Sequence, residues 1–336
     1  MARLNILITA ASRRVALVQA FQRALRRPGI SGKVLVTDVN PLSPAVHMAD
    51  RAFRVPYADE PDYLEEIHAV CEANNVGLII PTIDDELPLF AARRAVFEAA
   101  GIRVAISSPA TATTCNDKHA TCEALRAAGV SAVETWLPST LPASPELPMF
   151  IKPRGGRGGV QAFPINTPDE LQFFLRYVQD PVLQRYLHGQ EFTLDLLCDF
   201  KGRPLSVVPR ERVVIRSGVI DRGVTSNDPA LIQLALDCAR VFDFAGAVNI
   251  QCRVVNGVPT VFEINPRFSG GIPLTIAAGA DFPQMLVDLA LGRKVVPAIG
   301  QFTAGLWMSS YESSVFLEKP ERTLELCPRL AAENVA

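Results

Sequence analysis

Residues 261–271 place two oxygen-bearing side chains, Glu263 and Asn265, two positions apart in an apolar run. Alternate side chains of a strand share a face, so both oxygens are expected to point the same way. An earlier apolar run containing Gln251 is joined to this stretch through an Asn-Gly pair at 256–257, which is typical of a tight hairpin turn. If the two runs pair, the three side chains predict a binding site for a hard cation, which phosphate oxygens would also coordinate. The alternative is a hairpin with polar residues on its solvent face.

A second pattern combines lysines with glycines. Lys152 ends a short apolar run, and residues 154–159 read Arg-Gly-Gly-Arg-Gly-Gly. Glycines let backbone N–H groups approach a phosphate closely, although the Gly-Lys-Ser/Thr of a Walker loop is missing. Lys118 lies in the first turn of a helix predicted over 117–128, where the helix dipole disfavours a cation unless an anion is near. We therefore predict a phosphate-binding loop, against the alternative of a hairpin with solvated arginines.

A linker follows the helix predicted at 168–178. Gln184 and Tyr186 lie in this linker, a turn follows at 188–190, and Glu191 begins a long apolar strand. The layout suits a backbone that passes the edge of an adenine and a glutamate that binds ribose hydroxyls.

Residues 1–110 alternate apolar runs with amphipathic stretches, which is the pattern of a doubly wound parallel sheet. Strands are expected at 4–9, 33–37, 77–81 and 103–106, and helices at 15–27, 63–74 and 87–100. Ligands of such sheets bind at the carboxyl ends of strands. The first of these ends carries Ser12 and Arg13 but no G-x-G-x-x-G fingerprint, which argues against a dinucleotide. Asp84 and Glu86 follow a later strand and predict a substrate pocket, with helix capping as the alternative for the acids of this loop.

Composition excludes several classes of protein. The chain has 336 residues, enough for two or three domains, and its 49% apolar content can fill their cores. A formal charge of -2 offers no field for nucleic acid or an anionic membrane. No apolar run reaches the roughly 20 residues of a membrane-spanning helix, and the start has no signal-peptide pattern, so a cytoplasmic location is expected. The seven cysteines contain no Cys-x-x-Cys pair, which argues against structural zinc.

Taken together and in this order, these features resemble the ATP-grasp superfamily. Within it, the likeness is to the ATP-binding halves of the carbamoyl phosphate synthetase large subunit and to stand-alone carboxylate-amine ligases. It rests most on the run Glu-Ile-Asn-Pro-Arg at 263–267 together with Gln251, and it extends to about Met308. The resemblance implies an α/β chain with α+β lobes, in which an N-terminal Rossmann-like domain precedes an ATP-grasp fold. The implied domains are 1–110, the Rossmann-like pre-ATP-grasp domain; 111–187, the central lobe with the glycine-rich loop; and 188–336, the C-terminal lobe with the metal site.

The resemblance also implies roles for single residues. The implied ATP contacts are Lys118, Lys152, Gly158, Gly159, Gln184, Tyr186, Glu191 and Arg210. The implied ligands of magnesium, with manganese as a substitute, are Gln251, Glu263 and Asn265. Lys152 and Arg267 would stabilise the phosphoryl group in transfer. Two positions depart from many members: Gln184 replaces a frequent glutamate but can still accept from the adenine amino group, and Gln251 matches the carbamoyl phosphate synthetase pattern.

Three arginines, Arg210, Arg212 and Arg216, recur at even spacing, so in a regular strand they share one face. That face is either solvated or, in the context of this resemblance, turned to a triphosphate or a substrate carboxylate. We assign Arg210 to ATP and Arg216 to the substrate, with Ser12, Arg13, Asp84 and Glu86 as the other substrate candidates.

The implied reaction joins a carboxylate to an amine. ATP phosphorylates the carboxylate, which is otherwise a poor acyl donor, and the amine or ammonia then displaces phosphate from the acyl phosphate. One alternative is phosphorylation of a small carboxylate or carbamate, in the carbamoyl phosphate manner. Another is a catalytically silent ATP-binding protein, against which Glu263, Asn265 and Arg267 argue. The expected partners are small-molecule substrates, and a homodimer is compatible with such folds.

Overall fold

The computed structural model describes residues 1–156, 159–216, 218–318 and 324–326. Its first part contains strands β1 (Ala2–Arg3), β2 (Asn5–Ile8), β3 (Ile30–Ser31), β4 (Val34–Asp38), β5 (Arg51–Arg54), β6 (Val76–Ile80) and β7 (Arg103–Val104), and helices α1 (Val15–Leu25), α2 (Tyr63–Ala73) and α3 (Leu87–Ala99). Every strand and helix predicted here is found with its ends shifted by at most two residues, whereas β1, β3 and β5 were not predicted.

This first part forms a parallel sheet covered by helices, as the alternation predicts. Strands β5, β4, β2, β6 and β7 lie side by side in that order, and each neighbouring pair is parallel. A short strand near the end of the chain, Glu325–Leu326, adds to β5 in parallel. The carboxyl ends of β2 and β6 therefore meet at one edge, which brings the loops after Ile8 and Ile80 together.

The middle part carries a small antiparallel sheet. Its elements are helices α4 (Pro109–Asn116) and α5 (Lys118–Ala127), strands β8 (Thr135–Trp136), β9 (Met149–Pro153) and β10 (Phe163–Ile165), helix α6 (Pro168–Tyr177) and strand β11 (Pro181–Arg185). The strands lie in the order β10-β9-β11-β8. Helix α4 was not predicted, and a 3-10 turn, Pro138–Thr140, lies between β8 and β9.

The last part is built on a large antiparallel sheet. Its elements are strands β12 (Gln190–Cys198), β13 (Pro204–Arg216) and β14 (Val219–Thr225), helix α7 (Pro229–Val241), strands β15 (Gly246–Val255) and β16 (Val258–Asn265), helices α8 (Ile272–Ala277) and α9 (Phe282–Ala290), and strand β17 (Trp307–Ser309). The strands lie in the order β16-β15-β12-β13-β14-β17. Leu125 of α5 shares a buried cluster with Leu231 of α7 and Ile250 of β15, so α5 packs on this sheet.

One apolar core joins the first and last parts. Leu17 and Phe21 of α1 belong to the same buried cluster as Ile272 of α8 and Phe282 of α9. The Phe21 ring also meets the Phe268 ring edge to face, with centroids 5.8 Å apart. Because this contact lies just beyond β16, the end of the Glu263–Asn265 strand faces the carboxyl edge of the parallel sheet. Over the described ranges, every helix is too short or too polar to cross a bilayer.

Candidate functional site

The hairpin predicted from the Asn-Gly pair is present. Strands β15 and β16 pair antiparallel, and Asn256 and Gly257 both have positive φ, 50° and 80°, as the tight turn requires. Gln251 lies directly opposite Glu263, and Asn249 lies opposite Asn265. The strand register therefore brings the three oxygen-bearing side chains together, as expected.

These side chains form a compact polar set. Asn265 Nδ2 donates to Glu263 Oε1 at 3.1 Å, and Lys152 Nζ donates to Glu263 Oε2 at 3.2 Å. Gln251 Oε1 accepts from Arg212 Nη1 at 3.2 Å. Asn249 is buried, and within the described ranges its Oδ1 has no hydrogen-bond donor. One carboxylate and amide oxygens are a donor set that fits Mg²⁺, which keeps phosphate oxygens and waters among its ligands. The described residues hold no cluster of three His, Cys, Asp or Glu side chains suited to a metal.

Two buried lysines surround this carboxylate. Lys152 lies on β9 and its Nζ is 5.2 Å from the centroid of the Phe262 ring, while Lys118 opens α5. Burial alone would raise the pKa of Glu263, but the charges of Lys152 and Lys118 lower it to about 2. Burial lowers the pKa of Lys118, and Glu263 opposes that shift. The carboxylate of Glu263 is thus flanked by two lysines, an arrangement that is suited to a further anion.

Lys118 also ties down the start of the glycine-rich loop. Its Nζ donates to the carbonyl oxygens of Gly155 and Gly156 at 3.1 and 3.0 Å. Asp117, which caps α5, accepts from Arg154 Nε at 2.8 Å. Gly156 has a φ of 79°, a backbone conformation that favours glycine. The predicted contact of Gly158 with ATP lies outside the described residues.

The linker lines an apolar slot. Gln184 Nε2 donates to the Phe262 carbonyl oxygen and to Thr135 Oγ1, both at 3.3 Å. The described residues provide no donor to the Gln184 side-chain oxygen, which leaves an acceptor at the cavity wall. The Tyr186 ring packs beside Phe150, with centroids 6.5 Å apart. This slot has the flat apolar walls and the single polar edge that a purine base requires.

Glu191 is held between two arginines. Its Oε1 lies 2.8 Å from Arg212 Nη1, and its Oε2 lies 2.7 Å from Arg253 Nη2. Arg212 also donates to the Gly218 carbonyl oxygen at 2.7 Å and to Gln251, as above. Burial lowers the pKa of Arg212, and Glu191 opposes this shift. Arg212 therefore connects Glu191 to Gln251, one of the oxygen-bearing side chains of the hairpin. Sequence reasoning gave no role to Arg253 and noted Arg212 only as part of the arginine series.

The three arginines of the series all line the cavity, but their surroundings differ. Arg210 is buried and donates to both oxygens of Asp195, at 2.7 and 3.1 Å, whereas Arg216 is largely exposed and pairs with Glu312 at 3.1 Å. The pairing of β13 with β14 is irregular between Arg212 and Ile215, which breaks the alternation on which the prediction depended. Arg216 lies beyond these irregularities, and it lines the cavity with 64% of its side chain exposed.

Arg210 has a further structural role. It donates to Ser269 Oγ at 3.0 Å, and Thr275 Oγ1 donates to the same Asp195. A Cβ on Gly271 would overlap the Arg210 guanidinium, so this turn requires glycine. Within the described ranges, Arg210 Nη1 has no acceptor. The side chain thus fixes the turn after β16, which borders the cavity, and this role leaves it little freedom to follow a nucleotide.

The first domain contributes its strand ends. Ser12 and Arg13 line the cavity, and Ser12 N donates to Asp38 Oδ2 at 2.7 Å. Asp84 and Glu86 are buried and are not among the lining residues of the described chain. Glu86 is not positioned for the predicted substrate contact, because its carboxylate accepts from backbone and hydroxyl donors of its own domain. Asp84 instead pairs with Arg267 at 2.7 Å.

A single cavity of about 820 Å³ connects these features. The predicted residues that line it are Ser12, Arg13, Lys152, Gly159, Gln184, Tyr186, Glu191, Arg210, Arg216, Gln251, Glu263 and Arg267. Asn265 does not line the cavity but contacts Glu263, which does. Lys118 also lies outside the lining and contacts the glycine-rich loop at Gly155 and Gly156. Asn249, which no sequence pattern singled out, also lines the cavity, and only its register opposite Asn265 reveals it.

Comparison with known proteins identifies the fold. Residues 178–313 match the family described as ATP-grasp in the biosynthetic pathway with Ter operon. Residues 6–105 match the family described as PylC-like, N-terminal domain. The predicted ATP-grasp relationship is confirmed: this chain carries an ATP-grasp domain. More particularly, it joins that domain to a PylC-like N-terminal domain.

Curated relatives include the carbamoyl phosphate synthase large chain of Thermoanaerobacter sp. (strain X514), which is 27% identical over 177 residues. That match covers 48% of this chain but only 16% of the relative, so the chain corresponds to a small part of that protein. The large chain from Thermomicrobium roseum is 30% identical over 141 residues, covering 38% of this chain and 12% of that protein.

Solved structures of similar fold include those of three different proteins. The N5-carboxyaminoimidazole synthetase from Staphylococcus aureus, complexed with ADP, has a TM-score of 0.70 and 16% identity, over 88% of this chain and 79% of that chain. The L-amino acid ligase from Bacillus licheniformis has a TM-score of 0.69 and 16% identity, over 90% and 78%. The biotin carboxylase domain dimer of the Hydrogenobacter thermophilus 2-oxoglutarate carboxylase, in complex with MgADP, ADP and bicarbonate, has a TM-score of 0.69 and 17% identity, over 90% and 73%. At these identities the likeness concerns the fold.

Proposed function

We propose that this protein is a Mg²⁺- and ATP-dependent carboxylate-amine ligase that works through an acyl phosphate. The observation that carries the proposal is the cluster of Lys152, Glu263 and Arg267 on one cavity, between an apolar slot and the strand ends of the first domain. The site is thereby divided into a nucleotide half, a charged centre and a substrate half. The proposed division of the chain remains 1–110, 111–187 and 188–336.

In the nucleotide half, adenine would stack beside Tyr186 and donate its amino group to the side-chain oxygen of Gln184. Glu191 would accept from the ribose hydroxyls. Its two arginine partners hold its carboxylate at 2.8 and 2.7 Å and so preorganise both oxygens. Lys118, Lys152 and the glycine-rich loop would bind the phosphates, and the bonds from Lys118 to the loop carbonyls would be exchanged for bonds to phosphate oxygens. Arg210 is better suited to supporting the turn after β16 than to binding ATP.

Glu263, Gln251 and Asn265 would bind magnesium, with Asn249 as a neighbouring oxygen. The low pKa of Glu263 keeps this carboxylate ionised at any physiological pH. When bound, the metal supplies positive charge that neutralises the phosphate oxygens. Manganese as a substitute stays a prediction.

The chemistry follows from this arrangement of charge. The bond between the γ-phosphorus and the β–γ bridging oxygen breaks, ADP leaves, and a bond to a carboxylate oxygen forms. The amine nitrogen then attacks the acyl carbon and loses a proton, and phosphate departs. Lys152 and Arg267 stabilise the negative charge on the phosphoryl oxygens during transfer. Closure of the glycine-rich loop would exclude water, which would otherwise hydrolyse the acyl phosphate.

The substrate half has a distinct chemistry. The lining residues that the first domain contributes are Ala10, Ser12, Arg13, Arg14, Ala16, Leu17 and Ile83. This described set contains two arginines and no acid, and most of its members are apolar. It supports a carboxylate substrate with an uncharged apolar body rather than a substrate that carries a cationic group at this end. Arg216, which lines the same cavity, stays a candidate for substrate binding.

The second candidate is phosphorylation of a small carboxylate or carbamate. The similarity to carbamoyl phosphate synthase large chains favours it. In this case the acyl phosphate itself would be released, and no amine would be joined. A homodimer stays a prediction.

Incubation of the protein with MgATP, hydroxylamine and a panel of carboxylates tests the proposal. Hydroxylamine traps an acyl phosphate as a hydroxamate, so phosphate and hydroxamate should form in equal amounts with the accepted acids. Glu263→Gln should abolish both products, whereas Glu98→Gln, an exposed carboxylate paired with Arg94, should change neither. Retention of a near-wild-type rate by Glu263→Gln would contradict the assignment of Glu263 as a metal ligand. ATP binding without stimulated phosphate release across the panel would favour a silent nucleotide-binding protein.

A further inference from the structure

Arg267, which we propose to stabilise the phosphoryl group, is held by an acid from a different domain. Its Nε and Nη2 atoms both donate to Asp84 Oδ2, at 3.2 and 2.7 Å. Both side chains are nearly enclosed, with exposed fractions of 12% for Arg267 and 6% for Asp84. We infer that Asp84 is a positioning residue, through which the first domain sets the direction in which Arg267 faces the transferred phosphoryl group. This inference rests on the proposed function.

The geometry fixes the arginine while leaving donors for a ligand. A guanidinium has five N–H donors. Among the described residues, Asp84 takes two of them and the Phe268 carbonyl oxygen takes one from Nη1, at 3.1 Å. One N–H on each terminal nitrogen remains, and Arg267 lines the cavity. Two donors on a planar, fixed group match the paired oxygens of a phosphoryl group.

Asp84 is itself rigidly presented. It opens the 3-10 turn Asp84–Glu86, and Glu86 Oε1 accepts from Thr82 N at 2.7 Å and from Thr9 Oγ1 at 2.8 Å. Tyr63 donates its hydroxyl to the other oxygen of Glu86. The buried Glu86 network therefore locks the loop after β6 to the end of β2, which explains why its carboxylate is not directed at a substrate. Because of this network, Asp84 cannot easily follow Arg267 if the arginine moves.

A second arginine bridges the same two segments. Arg14 donates from Nη2 to the Thr82 carbonyl oxygen at 2.7 Å and from Nη1 to the Phe268 carbonyl oxygen at 3.0 Å. The segment after β16 is thus held to the loop that carries Asp84 at two points. Removal of the Asp84 charge should leave the domains joined through Arg14 and change mainly the direction of Arg267. This difference separates a positioning role from a purely structural ion pair.

The experiment compares Asp84→Asn with Asp85→Asn, which makes the same charge change one residue along at an exposed position. Affinity is measured by calorimetry for MgADP alone and for MgADP with aluminium fluoride, which mimics a phosphoryl group in transfer. Asp84→Asn should bind MgADP within about twofold of wild type and should lose roughly tenfold or more of the extra affinity that aluminium fluoride provides, since one charge-assisted interaction is misdirected. Asp85→Asn should match wild type in both measurements.

Equal losses for MgADP and for its fluoride complex in Asp84→Asn would mean a structural role only and would overturn the inference. An unchanged fluoride effect would overturn it as well. If Asp84→Asn does not fold, Asp84→Glu decides, because it keeps the charge but moves the carboxylate by one methylene, and it should weaken only the fluoride complex. Failure of the wild-type protein to bind MgADP would instead refute the proposed function itself, an outcome distinct from the others.

Discussion

Replacing Asp195 by asparagine is expected to lower the free energy of unfolding by about 3–5 kcal/mol, because it leaves a buried charge without its partner. Asp195 and Arg210 are almost fully enclosed, with side chains 2% and 1% exposed. The carboxylate accepts from Nε and Nη2 of Arg210, and also from Thr275 Oγ1. Asparagine offers one acceptor oxygen and no negative charge, so the Arg210 guanidinium would keep its desolvation cost but lose most of its compensation.

Urea denaturation followed by circular dichroism measures this loss. Glu98→Gln provides the control, because its partner Arg94 lies on an exposed helix face and such pairs contribute no more than about 0.5 kcal/mol. The double variant Asp195→Leu with Arg210→Met should recover most of the stability, since an apolar pair removes both charges together. A cost below about 1 kcal/mol for Asp195→Asn would refute the view that this pair is a closed, desolvated unit.

Two further predictions concern the turn after β16 and the charged centre. Gly271→Ala should destabilise the protein by about 1–3 kcal/mol, since its Cβ would overlap Arg210 and Ile220, which are held in place. Gly155→Ala is the control and should cost less, because its Cβ would lie 3.8 Å from the nearest atom. Equal melting temperatures of the two variants would contradict this prediction. In metal-free buffer, the unfolding free energy should fall as the pH drops from about 4.5 towards 2, because the folded-state pKa of Glu263 lies at about 2 and the stability it contributes is present above its unfolded pKa. Glu263→Gln should reduce this loss of unfolding free energy by at most about 3 kcal/mol. If the urea midpoints of the variant depend on pH in the same way as those of the wild type, the charge cluster is contradicted.

The sequence predicts the local features of this molecule well. The alternation over 1–110 and the Asn-Gly pair at 256–257 depend on neighbouring residues, and both lead to the observed elements. The facing of Gln251 and Glu263 does not follow from the turn alone, because a two-residue hairpin in regular register would place Gln251 opposite Phe262. An irregularity between Gln251 and Cys252 shifts the pairing by one residue and brings Gln251 opposite Glu263. Local sequence therefore predicts the hairpin, whereas the facing of its candidate metal ligands depends on an irregularity that no residue pattern announces.

Features that depend on packing between distant segments were not predicted. Asp84 and Arg267 are 183 residues apart in the chain, so their pairing follows only from the way the first domain docks on the last. Arg210 and Arg216 were expected to share a face, and both line the cavity, but Arg210 is buried against Asp195 whereas Arg216 is exposed. The pairing of β13 is irregular between them, and no residue pattern announces such an irregularity. Glu86 was expected at the substrate because it follows a strand end, yet its buried partners, Thr9 and Tyr63, are hydroxyl donors far from it in sequence.

The most direct measurement of the central claim follows oxygen rather than rate. A carboxylate accepted in the hydroxylamine assay is labelled with ¹⁸O in both oxygens, and the released phosphate is analysed by mass spectrometry. If the carboxylate attacks the γ-phosphorus, one labelled oxygen must appear in each phosphate molecule that the amine displaces. Phosphate that carries no label, or that takes its new oxygen from labelled water, would contradict the acyl phosphate and with it the assignment of this cavity as a ligase site.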